Sequence, residues 1–250
     1  MNTLFIGQNR VELPTIDSTN NYALELVKTS KIADGTLIWA HEQTTGRGQR
    51  GNEWQSQPQL NITLSIVLHP DLKADKQFFL TKVVSLGVLE FISDLVEDKV
   101  PVAIKWPNDI YAGEKKIAGI LIENSLRGEQ ISTSVIGIGL NINQTEFGTG
   151  LKNATSLKML TGKTFDIKNC IDNLCEHIEP RYLQLKTNKQ GLLDADYHKH
   201  LYRLDKLCDY EKNGRPFKAR LKGVNQQGKL LLKLESGEMM SCDFKEVVFG

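Results

Sequence analysis

Apolar and polar positions along the chain predict a mixture of helices and strands. The clearest helix is predicted over 75–97, where apolar residues recur every four positions. The polar N-cap signal Asp17-Ser18-Thr19 precedes a second helix, and the patterns over 167–185 and 191–203 are also helical. Short apolar segments predict strands at 36–41, 60–68, 100–106, 110–112, 116–123 and 131–140. In the segment 60–68 apolar residues partly alternate with polar ones.

Two segments of the chain depart from this mixture of long helices and strands. Residues 41–59 lack apolar periodicity and are rich in Gly, Arg, Thr and Gln, which predicts a loop. Beyond Asp209 short strands are predicted at 217–224, 229–234 and 239–244, separated by tight turns. A β module of roughly 45 residues is too small for a large core, so we expect it to dock on the rest. The sequence therefore predicts an α+β protein with a main domain over 1–205 and a small β-barrel over 206–250.

Composition and charge mainly exclude certain classes of protein. With 250 residues, 40% hydrophobic and 24% charged, the chain is a globular protein and not a disordered one. A net charge of +1 argues against a protein that coats nucleic acid in general. The first nine residues carry no positive charge, so we expect no secretion signal. No apolar segment of the sequence is long enough to cross a bilayer, and the four cysteines lack metal-ligand spacing. These features predict a cytoplasmic protein with reduced thiols and no membrane partner.

The loop contains the first candidate for chemistry, Gly46-Arg47-Gly48-Gln49-Arg50-Gly51. Glycines let the backbone approach a ligand closely, and two guanidinium groups with free amides favour an anion. The segment matches neither the phosphate-binding loop of nucleotide hydrolases nor the dinucleotide-binding motif. A basic surface loop without a ligand is the alternative interpretation.

Two further segments place polar groups beside apolar strands. In Lys105-Trp106-Pro107-Asn108-Asp109 the proline ends a strand and delivers an amide and a carboxyl group at its end, although an ordinary turn has the same pattern. Lys116 begins an apolar strand, where a lysine usually extends towards water. In 137–141 two glycines at alternate positions clear one strand face for a flat ligand, with Asn141 following on that face. Packing of this strand under a helix is the alternative.

In this order, the segments resemble the biotin protein ligases, also called biotin–acetyl-CoA-carboxylase ligases. The resemblance covers nearly the whole chain and implies a mixed sheet with flanking helices, similar to class II aminoacyl-tRNA synthetases, plus an SH3-like C-terminal module. Because the chain opens directly on the catalytic region, we expect the monofunctional type, without an N-terminal DNA-binding domain and without DNA as a partner. The matching residues are Asp17-Ser18-Thr19-Asn20, Gln43, Gly46-Arg47-Gly48, Trp54, Lys105-Trp106-Pro107-Asn108-Asp109, 116–121 and 137–141.

The resemblance implies two half-reactions. Biotin and ATP, with Mg²⁺ bound through the ATP phosphates and no direct protein ligand, give biotinyl-5′-AMP, and a lysine of the biotin carboxyl carrier protein then takes the biotin. Lys116 and Arg47 are expected to meet the carboxylate and the α-phosphate, and Asp109 to orient the acceptor lysine. The expected biotin-binding residues are Ser18, Thr19, Asn20, Gln43, Gly46, Arg47, Gly48, Lys116, Gly119 and Gly137. The expected ATP-binding residues are Gln49, Arg50, Trp54, Lys105, Asn108 and Asn141.

One position departs from the family pattern, and other functions stay open. Many members carry Arg where this chain has Gln49, which bears on how well the intermediate is retained. A lipoate or octanoate ligase of the same superfamily is the alternative enzyme, and a non-catalytic biotin-binding regulator is the alternative outside enzymes. The C-terminal module has few aromatic residues for a peptide-binding groove. Either a monomer or a homodimer fits the sequence.

Overall fold

A seven-stranded mixed sheet forms the centre of the structure, a computed structural model that describes residues 1–97, 99–187, 189–244 and 246–250, with only the backbone of Arg50. The strand order is β1-β2-β3-β7-β6-β5-β4. Strands β1 and β2 run parallel, and every other neighbouring pair is antiparallel. The strands are β1 (Arg10–Ile16), β2 (Thr36–Gln43), β3 (Asn61–Leu68), β4 (Val102–Lys105), β5 (Asp109–Ala112), β6 (Lys115–Arg127) and β7 (Gln130–Asn141).

Helices cover both faces of this sheet. The described helices are α1 (Thr19–Thr29), α2 (Phe78–Val96), α3 (Leu157–Thr161), α4 (Ile167–Lys186) and α5 (Gln190–Lys199). Helices α2 and α4 pack on the large core face, and a Cβ at Gly87 would lie 2.8 Å from the Ile178 Cα, so these helices approach closely there. Helix α1 lies on the opposite face, where Ala23 packs against Val67 and Val135. None of these helices combines the length and the apolar character needed to cross a membrane.

A second, five-stranded antiparallel sheet follows from Leu207 onward. Its order is β11-β10-β9-β8-β12. It docks beside the turn between β4 and β5, because the Trp106 indole Nε1 donates to the Gly228 carbonyl oxygen at 2.8 Å and the Trp106 ring lies 5.4 Å from that of Phe244. The strands are β8 (Leu207–Lys212), β9 (Arg215–Val224), β10 (Leu230–Leu234), β11 (Met239–Cys242) and β12 (Val248–Phe249).

The predicted fold class is confirmed, with differences in detail. The mixed sheet with flanking helices is present, and the antiparallel C-terminal sheet is consistent with an SH3-like module. Strands β1, β8 and β12 and helix α3 were not predicted from the sequence, and β6 extends to Arg127 because it pairs with β7 along almost its whole length. The domain boundary at 205/206 stays a prediction.

The N-terminus of α1 differs from the predicted cap. Ser18 occupies the N-cap position, but its side chain makes no capping hydrogen bond. Instead, the Gln43 Oε1 accepts the Thr19 backbone N–H at 2.8 Å. The end of β2 therefore supplies the acceptor that a cap residue normally provides, which ties the start of α1 to the sheet.

Candidate active site

A cavity of about 260 Å³ lies on the α1 face of the sheet. It is bordered by the glycine-rich loop (residues 46–51), the β4–β5 turn and strands β6 and β7. Phe244, Val247 and Phe249 of the C-terminal sheet also contribute to its wall. The predicted site residues that line it are Ser18, Thr19, Asn20, Gln43, Arg47, Gly48, Gln49, Trp54, Asn108, Asp109, Lys116, Gly119 and Gly137. Most of the residues singled out from the sequence therefore meet at one place, although the chain brings them from distant segments.

The alternation of side chains along β7 explains why the cavity lies there. Val135, Gly137 and Gly139 face the same side of the sheet, because successive side chains point to opposite faces. Val135 packs in the small core beneath α1, whereas the two glycines lie beyond that core. On β6, Gly119 pairs with Gly139, so the floor of the cavity has no side chains at three positions.

Two of the protein's own side chains cover this glycine floor. The Trp54 indole lies directly on Gly139, and a Cβ at Gly119 would lie 3.1 Å from the Trp54 Cζ3. The side chain of Asn20 lies in the same way on Gly137. The glycines thus make room first for Trp54 and Asn20, and the assignment of Gly119 and Gly137 to biotin binding stays a prediction.

The end of the cavity near α1 is polar and rigid. Thr19 and Asn20 are almost fully buried, and the Thr19 hydroxyl donates to the Gln43 Oε1 at 3.1 Å. The Ser65 hydroxyl lies 2.6 Å from the Asn20 Oδ1, to which it donates. Ser65 was not predicted from the sequence, although the polar residues at alternate positions 61, 63 and 65 of β3 are a usable signal for a polar face. These contacts fix the orientation of the hydrogen-bonding groups that face the cavity.

A lysine and a carboxylate form the opposite side of the cavity. The Lys116 Nζ lies 2.7 Å from the Asp109 Oδ1, and 5.7 Å from the centre of the Trp54 ring. The Lys116 backbone is held by Asn153 and Thr155, which bond its N–H and its carbonyl oxygen respectively. Its ammonium group is therefore directed into the cavity by a fixed strand start, and only about a third of the side chain is exposed.

Backbone hydrogen bonds shape the glycine-rich loop, which lines one side of the cavity. Its two sides are joined by the Trp54 N–H, which donates to the Gly46 carbonyl oxygen at 2.8 Å, and by the Gly48 N–H, which donates to the Asn52 carbonyl oxygen at 2.7 Å. Between them, residues Gln49–Gly51 form a single 3₁₀ turn. These bonds give the loop a compact backbone, and the alternative of a basic surface loop without a ligand stays open. The side chain of Arg50 lies outside the described part.

A carboxylate that the sequence analysis missed holds the loop arginine. The Arg47 Nη2 lies 2.7 Å from the Glu123 Oε1, and its Nη1 donates to the Glu123 Oε2 at 3.0 Å and to the Asn21 Oδ1 at 2.7 Å. Glu123 lies on β6, so this ion pair links the loop to the sheet. The sequence offered no signal for the contact, because the two residues are 76 positions apart.

The β4–β5 turn is fixed to β6 by an asparagine. The Asn108 Nδ2 donates to the Ile120 carbonyl oxygen at 2.7 Å, and the Asn108 carbonyl oxygen accepts the Ile120 N–H at 2.9 Å. The peptide bond between Trp106 and Pro107 in this turn is cis. Asp109 begins β5 and pairs with Gly119, which places its carboxylate beside the glycine floor. The prediction that the proline delivers polar groups at a strand end agrees with this geometry.

Three predicted site residues do not line the cavity. Gly46 lies behind it, where the loop backbone passes close to Gln43. The Lys105 Nζ donates to the Tyr111 hydroxyl at 3.0 Å, and burial lowers the pKa of Lys105 below its usual value. The Asn141 Nδ2 donates to the Thr155 carbonyl oxygen at 3.0 Å. The assignments of these residues to biotin or ATP stay predictions.

Comparison with known proteins gives this arrangement its context. Residues 12–141, just over half of the chain, match the biotin/lipoate A/B protein ligase family. The chain belongs to this family. The matched segment contains the glycine-rich loop, the β4–β5 turn, Lys116 and the glycines of β7, so the part of the ligase fold that defines the family is also the part that builds the cavity.

Relatives of the ligase family match over nearly the whole chain. A biotin–[acetyl-CoA-carboxylase] ligase from Paracoccus denitrificans is 30% identical over 95% of this chain and 99% of its own. The bifunctional ligase/repressor BirA of Bacillus spizizenii is 30% identical over 95% of this chain and 73% of its own. The structure of a biotin protein ligase from Aquifex aeolicus, in complex with biotin and ATP, matches with a TM-score of 0.79 and 27% identity over 97% of this chain and 100% of that one. The predicted family is thus confirmed.

Proposed function

We propose that the chain is an ATP-dependent biotin protein ligase, which activates biotin to biotinyl-5′-AMP and transfers it to a specific lysine of a biotin carboxyl carrier protein. One observation carries the proposal. Two cations, Lys116 and Arg47, face the same cavity as a buried polar end, in a member of this family. The polar end suits an uncharged cyclic urea, and the cations suit a carboxylate and a phosphate.

The first half-reaction requires two anions to approach each other. The biotin carboxylate attacks the α-phosphorus of ATP, a bond to phosphorus forms, and pyrophosphate leaves with the electron pair of the broken P–O bond. Lys116 is in place to meet the carboxylate and the α-phosphate, and Arg47 approaches from the loop above them. Two preorganised cations offset the repulsion between the anions without reorganisation at the moment of reaction.

The loop and Trp54 serve the product of this step. A mixed anhydride is lost if water reaches it, so the loop over the cavity serves to exclude solvent. The Trp54 indole supplies a flat face for the adenine, with Asn108 on the nucleotide side. The proposal places Mg²⁺ on the ATP phosphates, as MgATP.

In the second half-reaction the acceptor lysine attacks the acyl carbon. Its ammonium group must first lose a proton, and the amide bond then forms as AMP leaves with the electrons of the acyl–phosphate bond. Asp109 is the carboxylate on the cavity wall beside Lys116, so it can orient the acceptor amine and accept its proton. The C-terminal sheet, which contributes Phe244 and Phe249 to the wall, borders the route by which a carrier protein would approach.

Neither alternative function is favoured. A lipoate or octanoate ligase shares the chemistry of activation, but the Paracoccus denitrificans relative and the Aquifex aeolicus structure, which both match over nearly the whole chain, are named as biotin ligases. A binding protein without catalysis has no need for a lysine and an arginine converging on one cavity, and both Lys116 and Arg47 are present.

Transfer to a carrier tests the proposal directly. The protein is mixed with ATP, Mg²⁺, biotin and a biotin carrier domain, and the carrier is weighed by intact-mass spectrometry. We expect one biotin per carrier, on one lysine, and no change on a carrier whose acceptor lysine is replaced by arginine. A carrier left unmodified by folded protein, or modified equally with lipoate, would contradict the proposal.

Substituting Gly139 tests the role of the Trp54 face. In Gly139→Ala the new methyl group would overlap the indole, which must then move from its place on the floor. We expect the KM for ATP to rise about tenfold while the KM for biotin changes less than about twofold. Initial rates at varied ATP measure this. The control is Gly150→Ala, where a Cβ meets no atom within 4 Å. Equal effects of Gly139→Ala and Gly150→Ala on the KM for ATP would show that Trp54 does not contact the nucleotide.

Gln49 governs retention of the intermediate. Its side chain lies on the cavity, and its Oε1 is buried without a hydrogen-bond partner among the described residues. An arginine there would add a charge-assisted bond to the acyl phosphate, so we expect Gln49→Arg to slow the escape of biotinyl-5′-AMP about tenfold. Trapping of the released intermediate measures the off-rate. Gln55→Arg, an exposed substitution of the same charge in the same segment, is the control. An unchanged off-rate in Gln49→Arg contradicts this expectation.

A further inference from the structure

The C-terminal sheet is also held by a histidine of helix α5. The His198 ring nitrogen Nε2 lies 2.9 Å from both the backbone nitrogen and the carbonyl oxygen of Val224 on β9. Val224 is almost fully buried and pairs with Leu230 of β10, so the contact reaches the two adjacent inner strands of the sheet. His198 itself does not line the cavity described above.

Helix α5 fixes the orientation of this ring. The other ring nitrogen of His198, Nδ1, lies 2.7 Å from the Asp194 carbonyl oxygen, one helical turn earlier. A carbonyl oxygen only accepts, so in the neutral ring Nδ1 carries the hydrogen and Nε2 accepts the Val224 N–H. The Asp194 carboxylate in turn pairs with Lys82 of α2, whose side chain is 1% exposed. His198 is therefore anchored through α5 to the core helix α2.

Two glycines of the C-terminal sheet let its backbone approach the rest of the protein closely. A Cβ at Gly223, which precedes Val224, would lie 2.6 Å from the His198 Cδ2. A Cβ at Gly228, in the turn between β9 and β10, would lie 2.5 Å from the Cδ2 of Phe78 at the start of α2. The φ angles of the two glycines are +143° and +87°, which favour glycine. This backbone segment therefore fits closely against both side chains.

The placement of the C-terminal sheet bears on the cavity, because the sheet supplies part of the cavity wall. Phe244, Val247 and Phe249 form that part. They follow β11 in the chain, and β11 is hydrogen-bonded to β10 and through it to β9. A displacement of β9 relative to α5 is therefore passed through the paired strands to the wall.

We propose that His198 is a positioning residue, which holds β9 on α5 and thereby fixes the part of the cavity wall formed by Phe244, Val247 and Phe249. The docking part of this inference stands on the structure alone. Its kinetic part rests on the proposed function, in which this wall borders the route of the carrier protein. A contact that only stabilises the fold predicts no change in the kinetics of a folded variant.

Two amide side chains of different length test the proposal. The longer one, in His198→Gln, reaches as far as Nε2 and carries an oxygen that can accept the Val224 N–H. The shorter one, in His198→Asn, reaches only as far as Nδ1 and loses the contact with Val224. The matched control is His200→Asn, because the His200 Nδ1 lies 2.8 Å from the Asp196 carbonyl oxygen in the same way, and within the described residues its ring has no hydrogen bond to the C-terminal sheet. Thermal unfolding of each variant shows that the fold is kept.

Two measurements read the docking and the kinetics separately. Hydrogen–deuterium exchange of the ligand-free protein, followed by mass spectrometry on peptides from β9 and β10, is expected to be at least about fivefold faster in His198→Asn than in the wild type, His198→Gln or His200→Asn. In His198→Asn the KM for the carrier is expected to rise about tenfold, while biotin-dependent pyrophosphate exchange stays within about twofold of the wild type. Failure of the proposed function would abolish only the kinetic readout, since the first measurement needs no ligand.

The outcomes separate a positioning role from a purely structural one. Faster hydrogen exchange together with a raised KM for the carrier, both restored in His198→Gln, supports the proposal. Unchanged hydrogen exchange in folded His198→Asn overturns it, because β9 would then be held without the histidine. A wild-type KM for the carrier also overturns it, and so does an equal loss of pyrophosphate exchange, since the effect would not be confined to the carrier's route. If His198→Asn does not fold, His198→Leu, which accepts no hydrogen bond, is judged by the same outcomes.

Discussion

Replacing Lys116 with methionine is expected to lower the rate of adenylate formation by about 100- to 1,000-fold while the protein stays folded. Methionine keeps an apolar stem beside Gly119, where the Lys116 Cε would lie 3.4 Å from an added Cβ, so packing changes little. What is lost is the positive charge between two anions that must meet. Loss of a single preorganised group opposite a developing charge commonly has an effect of this size.

Single-turnover formation of biotinyl-5′-AMP measures the Lys116 effect. The matched control is Lys115→Met, which removes the same charge one position earlier, where the side chain is exposed. We expect Lys115→Met to form adenylate at nearly the wild-type rate. Adenylate formed at that rate by folded Lys116→Met would exclude Lys116 from the chemistry and with it the proposed first half-reaction.

Replacing Asp109 with asparagine is expected to slow the second half-reaction more than the first. General-base assistance typically accounts for about 100-fold or more, so transfer of biotin to the carrier should fall by at least that factor. The first step is also affected, since the Asp109 carboxylate lies 2.7 Å from the Lys116 Nζ and holds it in place. We expect that effect to be about tenfold or less, because Lys116 keeps its charge and its backbone anchors.

Separate single-turnover measurements give the factor by which Asp109→Asn slows each half-reaction. Pre-formed adenylate is mixed with carrier for the second step, and ATP with biotin for the first. Asp94→Asn, on the exposed surface of α2, controls for loss of a carboxylate elsewhere. Equal slowing of both half-reactions would assign Asp109 to Lys116 or the nucleotide and not to the acceptor lysine.

The elements that the sequence predicted well are those set by local pattern. The long apolar repeat of α2 survives in the structure because the helix is buried along most of its length. The boundary between β5 and β6 was predicted to within one residue, and the turn there contains Gly113, whose φ of +60° favours glycine. Strand β1 was missed because its alternation is short: Val11 and Leu13 alternate with polar residues, but Pro14 then interrupts the pattern, as is typical of an edge strand.

The candidate site was predicted by its motifs and missed where it depends on distant contacts. The glycine loop, Lys116 and the β4–β5 turn each carry a local signal. The contacts of Glu123 with Arg47 and of Ser65 with Asn20 join residues far apart in the chain, so no local pattern links the partners. The glycine floor was predicted as open space, but only the folded chain shows that Trp54 and Asn20 lie on it.

Biotin-dependent exchange of labelled pyrophosphate into ATP tests the central claim most directly, because it reports reversible formation of the acyl adenylate without any carrier protein. It is run with purified protein, ATP and Mg²⁺, and with biotin, lipoate or octanoate at equal concentrations. We expect exchange with biotin at least about 100-fold faster than with either fatty acid, which corresponds to ~2.7 kcal/mol of discrimination. Exchange that is absent with biotin, or equally fast with lipoate or octanoate, would contradict it.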